Sequence, residues 1–243
     1  PGHHATRDRA MGFCILNNVA VAAARLRQLG KRVAIVDWDV HHGNGTEAIF
    51  DEEPDVLYCS THEWPQYPGT GLADYGGSGR GAGATVNVPL PRGTRPEAYL
   101  AAYRARIRPA IAAFAPDVLL VSAGFDAHVD DPLGGLKLDD DTFVTLTRDM
   151  LALCPRVAVV LEGGYDLDAL ASSSVRVLQT LLSEVVPVRD LVTILETLGD
   201  KAKLTKDVPI LAEYCRQALS RAICGRFVDE TGTLPAITLD PEV

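Results

Sequence analysis

The sequence predicts an α/β domain built on a mainly parallel sheet. Three observations carry this. Four short apolar runs are continuous rather than alternating, the mark of strands covered on both faces. Amphipathic helical stretches lie between them, and polar residues cluster at the carboxyl end of every run.

From Asn17 to Leu29, Val19, Ala22, Ala23 and Leu26 recur on one side at helical spacing, and Gly30 stands where a C-terminal glycine cap belongs. Val33-Ala34-Ile35-Val36 then reads as a buried strand that ends in Asp37, Asp39 and His41. Val56 to Ser60, Val118 to Ser122 and Val157 to Leu161 repeat the shape, each followed by Gly, His or Asp. Arg95 to Phe114 is a helix with Pro96 in its first turn and a kink expected at Pro109, and Asp140 to Leu153 is a second. The Gly-rich stretch from Pro68 to Gly83 is mostly loop, and it lacks the strand-to-helix setting of a phosphate cradle. After Ser183 the character changes. Val188 to Leu198 and Val208 to Ile223 are amphipathic packing helices, so the reading is a domain over 1–183 and a helical extension with a tail over 184–243.

Composition narrows the function classes. Lys plus Arg number 23 against 32 for Asp plus Glu, a net charge of -9, which argues against direct binding of a nucleic-acid backbone. No apolar run approaches the roughly 18 residues that span a bilayer, so no membrane partner is expected and a cytoplasmic location is the default. The five cysteines are odd in number and lack C-x-x-C spacing, which fits neither a disulfide framework nor a cysteine zinc site. The chain opens on Pro1-Gly2-His3-His4 without an initiator Met or leader character. It therefore reads as a fragment or processed product whose N-terminal portion is absent. The open sheet edge this implies predicts lower stability and a tendency to form oligomers.

In open α/β sheets, ligands sit outside the carboxyl ends of the strands. There the first strand runs into Asp37-Trp38-Asp39-Val40-His41-His42-Gly43-Asn44, where alternation sets Asp37, Asp39 and His41 on one face. Asp126 follows the third strand after Gly124, which lets backbone approach the crevice. Asp39, His41 and Asp126 would give three ligands and an open position, the form of a catalytic rather than a structural metal site. Zn²⁺ suits that donor set, with Fe²⁺ or Mn²⁺ allowed by geometry. The fourth strand ends in Glu162-Gly163-Gly164-Tyr165, a glycine turn that presents a phenol.

With these stretches assembled, the sequence resembles the zinc-dependent histone deacetylase family. The likeness extends to its acetoin-utilisation and acetylpolyamine amidohydrolase relatives. It rests on PGHHA, GFCILNNVAVAA, VDWDVHHGNGT, YPGTG, VNVPL, VSAGFDA, DPLGG and LEGGY, in family order from Pro1 to about Leu182. The resemblance implies a three-layer arginase/deacetylase-like fold without the family's N-terminal portion. It implies a hydrolase that cleaves a linear amide C–N bond in acetyl-lysine.

Carried over residue by residue, the resemblance implies Asp39, His41 and Asp126 as zinc ligands, His3 as the histidine paired with Asp37, and His4 as general base. Tyr165 resembles the hydroxyl that polarises the carbonyl. Phe13, Tyr67, Leu133, Gly163 and Gly164 fall at the acyl-lysine tunnel, with Leu133 at its mouth. Asp37, Asp39, His41, Ser60 and Thr61 match the structural K⁺ or Na⁺ site. Asn44 replaces an aspartate found in other members and resembles the class II-like subset. His42 and His62 have supporting roles in this mapping, and Asp130 and Asp131 read as acidic charges on the rim.

The implied partner is an acetylated peptide or protein. Three alternatives stand beside it: an acetylpolyamine deacetylase, a binuclear manganese ureohydrolase-like enzyme using Asp126-Ala127-His128-Val129-Asp130, and a non-catalytic acyl-peptide binding fragment.

Overall fold

The computed structural model describes residues 1–183 together with Lys201, Ile210 and Tyr214. The chain divides into two compact units, Pro1–Val186 and Pro187–Val243. In the second, Lys201 Nζ lies 4.9 Å from the centre of the Tyr214 ring, a cation over an aromatic face. The helix expected over 188–198 lies outside the described residues, as do Cys215 and Cys224; of the one expected over 208–223, Ile210 and Tyr214 are described, both helical. Cys14, Cys59 and Cys154 are free and buried.

The first unit begins with α1 (Asn18–Gln28), whose cap residue Asn17 accepts the Ala20 N–H at 3.0 Å. It leads into β1 (Val33–Asp37), α2 (Asn44–Phe50), β2 (Val56–Glu63) and β3 (Thr85–Leu90). Then come α3 (Pro96–Phe114), β4 (Val118–Ala123), α4 (Asp140–Leu153), β5 (Val157–Leu161) and α5 (Leu167–Ser183). The Gly-rich stretch is loop apart from one short 3₁₀ turn, Gly79–Gly81.

All five strands run parallel, in the order β3-β2-β1-β4-β5. One helical layer, α1 and α2, packs on β1, β2 and β4; the other, α3, α4 and α5, lies against β2 and β3 through α3. This is a three-layer α/β fold, as the sequence predicts. Alternation decides which side chains meet which layer. Ile35 joins Val19, Ala23, Phe50, Tyr58 and Leu120 in a core under α1 and α2. Truncating a wholly buried side chain such as Ile35 to Ala would cost about 2–5 kcal/mol. On the α3 side, Tyr99, Tyr103, Ile107 and Ile111 recur every fourth residue and are all buried. The helix continues through Pro109 to Phe114, where the sequence led us to expect a kink.

Two consequences position the site. Asp37 has the same parity as Ile35 on β1, so its carboxylate faces the α1 layer. Moreover, β2 extends the sheet from one side of β1 and β4 from the other, so the connections after β1 and β4 part at the carboxyl ends of these neighbours. That is the topological switch point at which open α/β sheets bind ligands.

Candidate active site

The loop after β1 supplies Asp39 and His41, and the loop after β4 supplies Asp126, so the switch point carries three ligand-type side chains. Their nearest ligand atoms all lie within 4.8 Å of one another. His41 Nδ1 is 3.1 Å from both Asp39 Oδ1 and Asp126 Oδ2. The remaining carboxylate oxygens are held by backbone: Gly163 N–H donates to Asp39 Oδ2 and Val40 N–H to Asp126 Oδ1, each at 2.8 Å. A Cβ at Gly163 would sit 2.2 Å from Asp126 Oδ2 and 2.6 Å from Asp39 Oδ2, so only glycine fits against this pair.

The buried carboxylates of this group draw protons onto His41 and Asp126. Burial and the nearby Asp39 charge push Asp126 up to about 7. Burial alone would depress His41, but its hydrogen bonds to Asp126 and Asp39 raise it to about 10. Two buried carboxylates facing one imidazole nitrogen are a fit for a divalent ion, and the N/O donor set suits zinc. Among the described residues this is the one group of three or more with metal-ligand spacing. His128 turns away from it, 3.6 Å from Asp130 and 3.7 Å from Asp140. The D-x-H-x-D pattern therefore does not close a second metal site beside Asp126.

The histidine pair lies against this group. His3 Nδ1 is 2.9 Å from Asp37 Oδ2, and its Nε2 is 3.8 Å from Asp39 Oδ1. Burial opposes charge on His3, yet Asp37 and Asp39 hold its pKa well above the ordinary value. His4 Nδ1 is 2.8 Å from Asn44 Oδ1. With burial and the charge of His3 acting against it, His4 is pushed down to about 4. Gly12, at φ +57°, packs so tightly under His4 that a Cβ there would lie 2.2 Å from the ring.

Tyr67 meets the His4 ring edge-on at 5.0 Å and the His41 ring at 6.3 Å. Phe13 follows Gly12 and is 81% exposed, while Leu133 and Tyr165 are 46% and 40% exposed. Burial, followed by the charges of Asp126 and Asp39, raises the Tyr165 phenol above its usual range, so it stays protonated. Ser60 is the register partner of Asp37 across β1 and β2, and Thr61 Oγ1 donates to the Asp37 carbonyl at 3.5 Å. His42 contacts Thr70 and Glu47, and His62 contacts Ser60 and the Gly71 carbonyl; neither joins the metal-type group. One expectation is corrected: Asp131 is not a rim charge like Asp130 but is 6% exposed, because four backbone amides engage its carboxylate.

Comparison with known proteins decides the family. The family model for the histone deacetylase domain matches residues 1–181. The chain belongs to the histone deacetylase family. Histone deacetylase 14, chloroplastic, of Arabidopsis thaliana is 44% identical over 191 residues, covering 76% of this chain and 45% of that protein. The crystal structure of the HDA15 HD domain matches with a TM-score of 0.74 at 42% identity, covering 90% of this chain and 63% of that one. The acetylpolyamine aminohydrolase from Burkholderia pseudomallei matches with a TM-score of 0.70 at 39% identity, covering 74% and 53%. The chain spans from 20% to 60% of the length of curated relatives that it matches. A chloroplastic relative means that membership of this deacetylase family does not fix the compartment, and the cytoplasmic expectation has no support. No described helix is long and apolar enough to cross a membrane. Residues 164–243 match the FHIPEP family, less than half of the chain and overlapping the deacetylase match.

Sequence reasoning left two carboxylates of this site without their roles. Glu162, at the end of β5, accepts the backbone N–H groups of Gly2 (2.5 Å) and His3 (3.1 Å) and the Ser122 hydroxyl (3.1 Å). Asp131 is the other. The signal for Glu162 was present, since a carboxylate directly after an apolar strand must find partners, but Gly2 and His3 lie 160 and 159 residues away in the chain.

Proposed function

We propose that this chain carries a metal-dependent amidohydrolase site that removes acetyl groups from acetyl-lysine side chains, with Zn²⁺ as the ion and Fe²⁺ as its closest substitute. The observation that carries the reading is the connectivity of Asp39. One of its oxygens faces His41 and lies within 3.8 Å of His3; the other accepts from Gly163, two residues before Tyr165. His41, His3 and the turn that leads to Tyr165 thereby meet around a single carboxylate.

Asp39, His41 and Asp126 would hold the ion. When bound, Zn²⁺ supplies Lewis-acid polarisation of a carbonyl and acidifies water. His4, neutral at physiological pH with its pKa near 4, takes the proton of the attacking water and returns it to the leaving amine. Water and amide thus become acetate and a free lysine amine. His3, kept charged by Asp37, stabilises the negative charge that develops nearby. The protonated phenol of Tyr165 donates to the oxyanion as it forms. Phe13, Tyr67, Leu133, Gly163 and Gly164 line the approach in this reading, with apolar surface suited to a methylene stem ending in a neutral amide. Ser60 and Thr61, buried beside Asp37, with Asp39 and His41, are proposed to hold K⁺ or Na⁺ through oxygen donors.

The relative named for acetylpolyamine keeps that substrate as the second reading. The test is turnover of an acetyl-lysine peptide by the full chain and by Tyr165→Phe. We expect the substitution to lower kcat on the order of 10²-fold with little change in KM. An unchanged kcat removes Tyr165 from the mechanism, and a chain that binds the peptide without turnover would be a binding fragment.

A further inference from the structure

Asp131 follows β4 in the loop that carries Leu133, and its carboxylate is almost wholly buried. Each oxygen accepts two backbone amides. Oδ1 takes Leu133 N–H at 2.9 Å and Gly134 N–H at 3.2 Å; Oδ2 takes Tyr165 N–H at 2.7 Å and Asp166 N–H at 3.3 Å. A single side chain therefore fastens the turn bearing Leu133 to the turn bearing Tyr165, across 34 residues of sequence.

The Tyr165 turn needs this anchor. Between β5 and α5 the chain passes through Gly163 and Gly164, the latter at φ +145°, and these residues alone would leave it with a wide choice of conformations. Gly163 is tied to Asp39, and the Asp166 side chain accepts the Ala169 amide at 2.8 Å as α5 begins. Between these two fixed points, Asp131 takes the amides of Tyr165 and Asp166 themselves. The phenol takes no hydrogen bond from the described residues, so nothing but its backbone and packing sets where it points.

We propose that Asp131 is a positioning residue for Tyr165. It fixes the backbone that carries the phenol and ties that backbone to the turn bearing Leu133. The inference rests on the reading of Tyr165 as the group that polarises the substrate carbonyl. Four converging N–H donors require two acceptor oxygens. An asparagine supplies one, and its NH₂ would face N–H groups at the other end. Asp131→Asn therefore releases one of the two turns while keeping size and shape.

The experiment is a double-mutant cycle on the full chain, with amide hydrogen exchange measured alongside. Asp131→Asn is expected to lower kcat for an acetyl-lysine peptide about 10- to 100-fold with KM and metal content nearly unchanged. In a Tyr165→Phe background the same change is expected to cost less than about threefold, because the hydroxyl it positions is already gone. A general loss of structure would instead cost the same factor in both backgrounds. Equal losses in both backgrounds, or an unchanged kcat, would overturn the proposal. Exchange separates its failure from that of the functional reading. If the wild type has no turnover, the reading of the reaction fails, and the clamp is judged by the Tyr165 and Asp166 amides. These should be protected in the wild type and exchange at least about tenfold faster in Asp131→Asn. If Asp131→Asn does not fold, wild-type exchange decides alone. Protection of all four amides in these loop positions supports the clamp, and free exchange at Tyr165 and Asp166 overturns it.

Discussion

His3 and His4 are neighbours in sequence with ring centres 4.0 Å apart, yet their surroundings drive them in opposite directions. His3 meets a buried carboxylate, Asp37, and is held charged; His4 meets only the amide of Asn44 and is pushed down to about 4. One fixed cation and one neutral base, side by side, are what acid–base division of labour requires.

Burial and the charge of His3 keep His4 neutral over so wide a pH range, against the smaller opposing pull of its hydrogen bond to Asn44. Replacing its amide oxygen with a carboxylate puts a negative charge 2.8 Å from Nδ1, which favours the protonated ring and raises the His4 pKa. Activity needing neutral His4 should then fail at a higher pH. Asn44→Asp is expected to move the acidic limb of kcat/KM upward by about one pH unit or more. A limb at the same pH in both proteins would separate Asn44 from the base.

The metal reading makes a stoichiometric prediction. Asp126→Ala removes one of the three converging ligands and leaves Asp39 and His41, so bound Zn²⁺ should fall by about 10²-fold or more in affinity. His128→Gln alters a residue that faces Asp130 and Asp140, so it should leave metal content intact. Elemental analysis of the full chain should find one tightly bound divalent ion. Two ions lost together on His128→Gln would restore the binuclear reading.

Much of the fold was legible because its signals are local. The four apolar strand runs and the helices over α1, α3 and α4 fall where periodicity puts them. The strand β3 was missed because its half-buried pattern includes Pro89, which suits an edge strand and weakens the run. The seven-residue α2 was hidden in a polar turn, since Asn44 and Gly45 read as loop while the helix is held by tertiary bonds to the His3 carbonyl. In the candidate site, Asp39, His41 and Asp126 were readable because short spacings end on strands. The parts played by Glu162 and Asp131 were not, because they consist of bonds to backbone amides, which no residue type announces.

Stability at acid pH should report on His62. Burial, with the charge of His42 adding to it, depresses His62 to about 3, and only the Gly71 carbonyl opposes this. Because that carbonyl accepts, Nε2 carries the proton, and Nδ1 takes the Ser60 hydroxyl. The unfolded chain protonates this ring near pH 6.5 and the folded one does not. The contribution of neutral His62 is therefore fully present above about pH 6.5 and is lost as pH falls toward about 3, by up to about 1.4 kcal/mol per unit. His62→Gln, which cannot titrate, should lose stability less steeply. Urea unfolding at a series of pH values should show the difference between the two proteins shrinking or reversing on acidification, and a constant difference would contradict the assignment.

In the proposed function substrate choice turns on Leu133, whose backbone is held from two sides: its N–H by Asp131 and its carbonyl by the Gln66 amide at 3.4 Å. Leu133 is 46% exposed, on a turn that Asp131 ties to the turn carrying Tyr165. A leucine there offers apolar contact to the methylene stem of acetyl-lysine and nothing to a second ammonium. An acidic residue there would act instead as a gatekeeper for polyamines, its carboxylate attracting the second ammonium. Leu133→Glu would place a carboxylate where the next amine of an acetylpolyamine passes, at a cost to the lysine stem. We expect the wild type to favour acetyl-lysine peptides over acetylspermidine. Leu133→Glu should shift the kcat/KM ratio toward the polyamine by about tenfold or more, the scale of one added charge contact. Asp130 bears on the same result, because it is exposed and attracts cations whatever residue stands at 133. Asp130→Asn measured in parallel separates the two: it should weaken the cationic polyamine by the same factor in the wild type and in Leu133→Glu, leaving the shift that Leu133→Glu produces unmoved. If the ratio follows Asp130 and ignores Leu133, selectivity is set by rim charge and the gatekeeper argument is wrong.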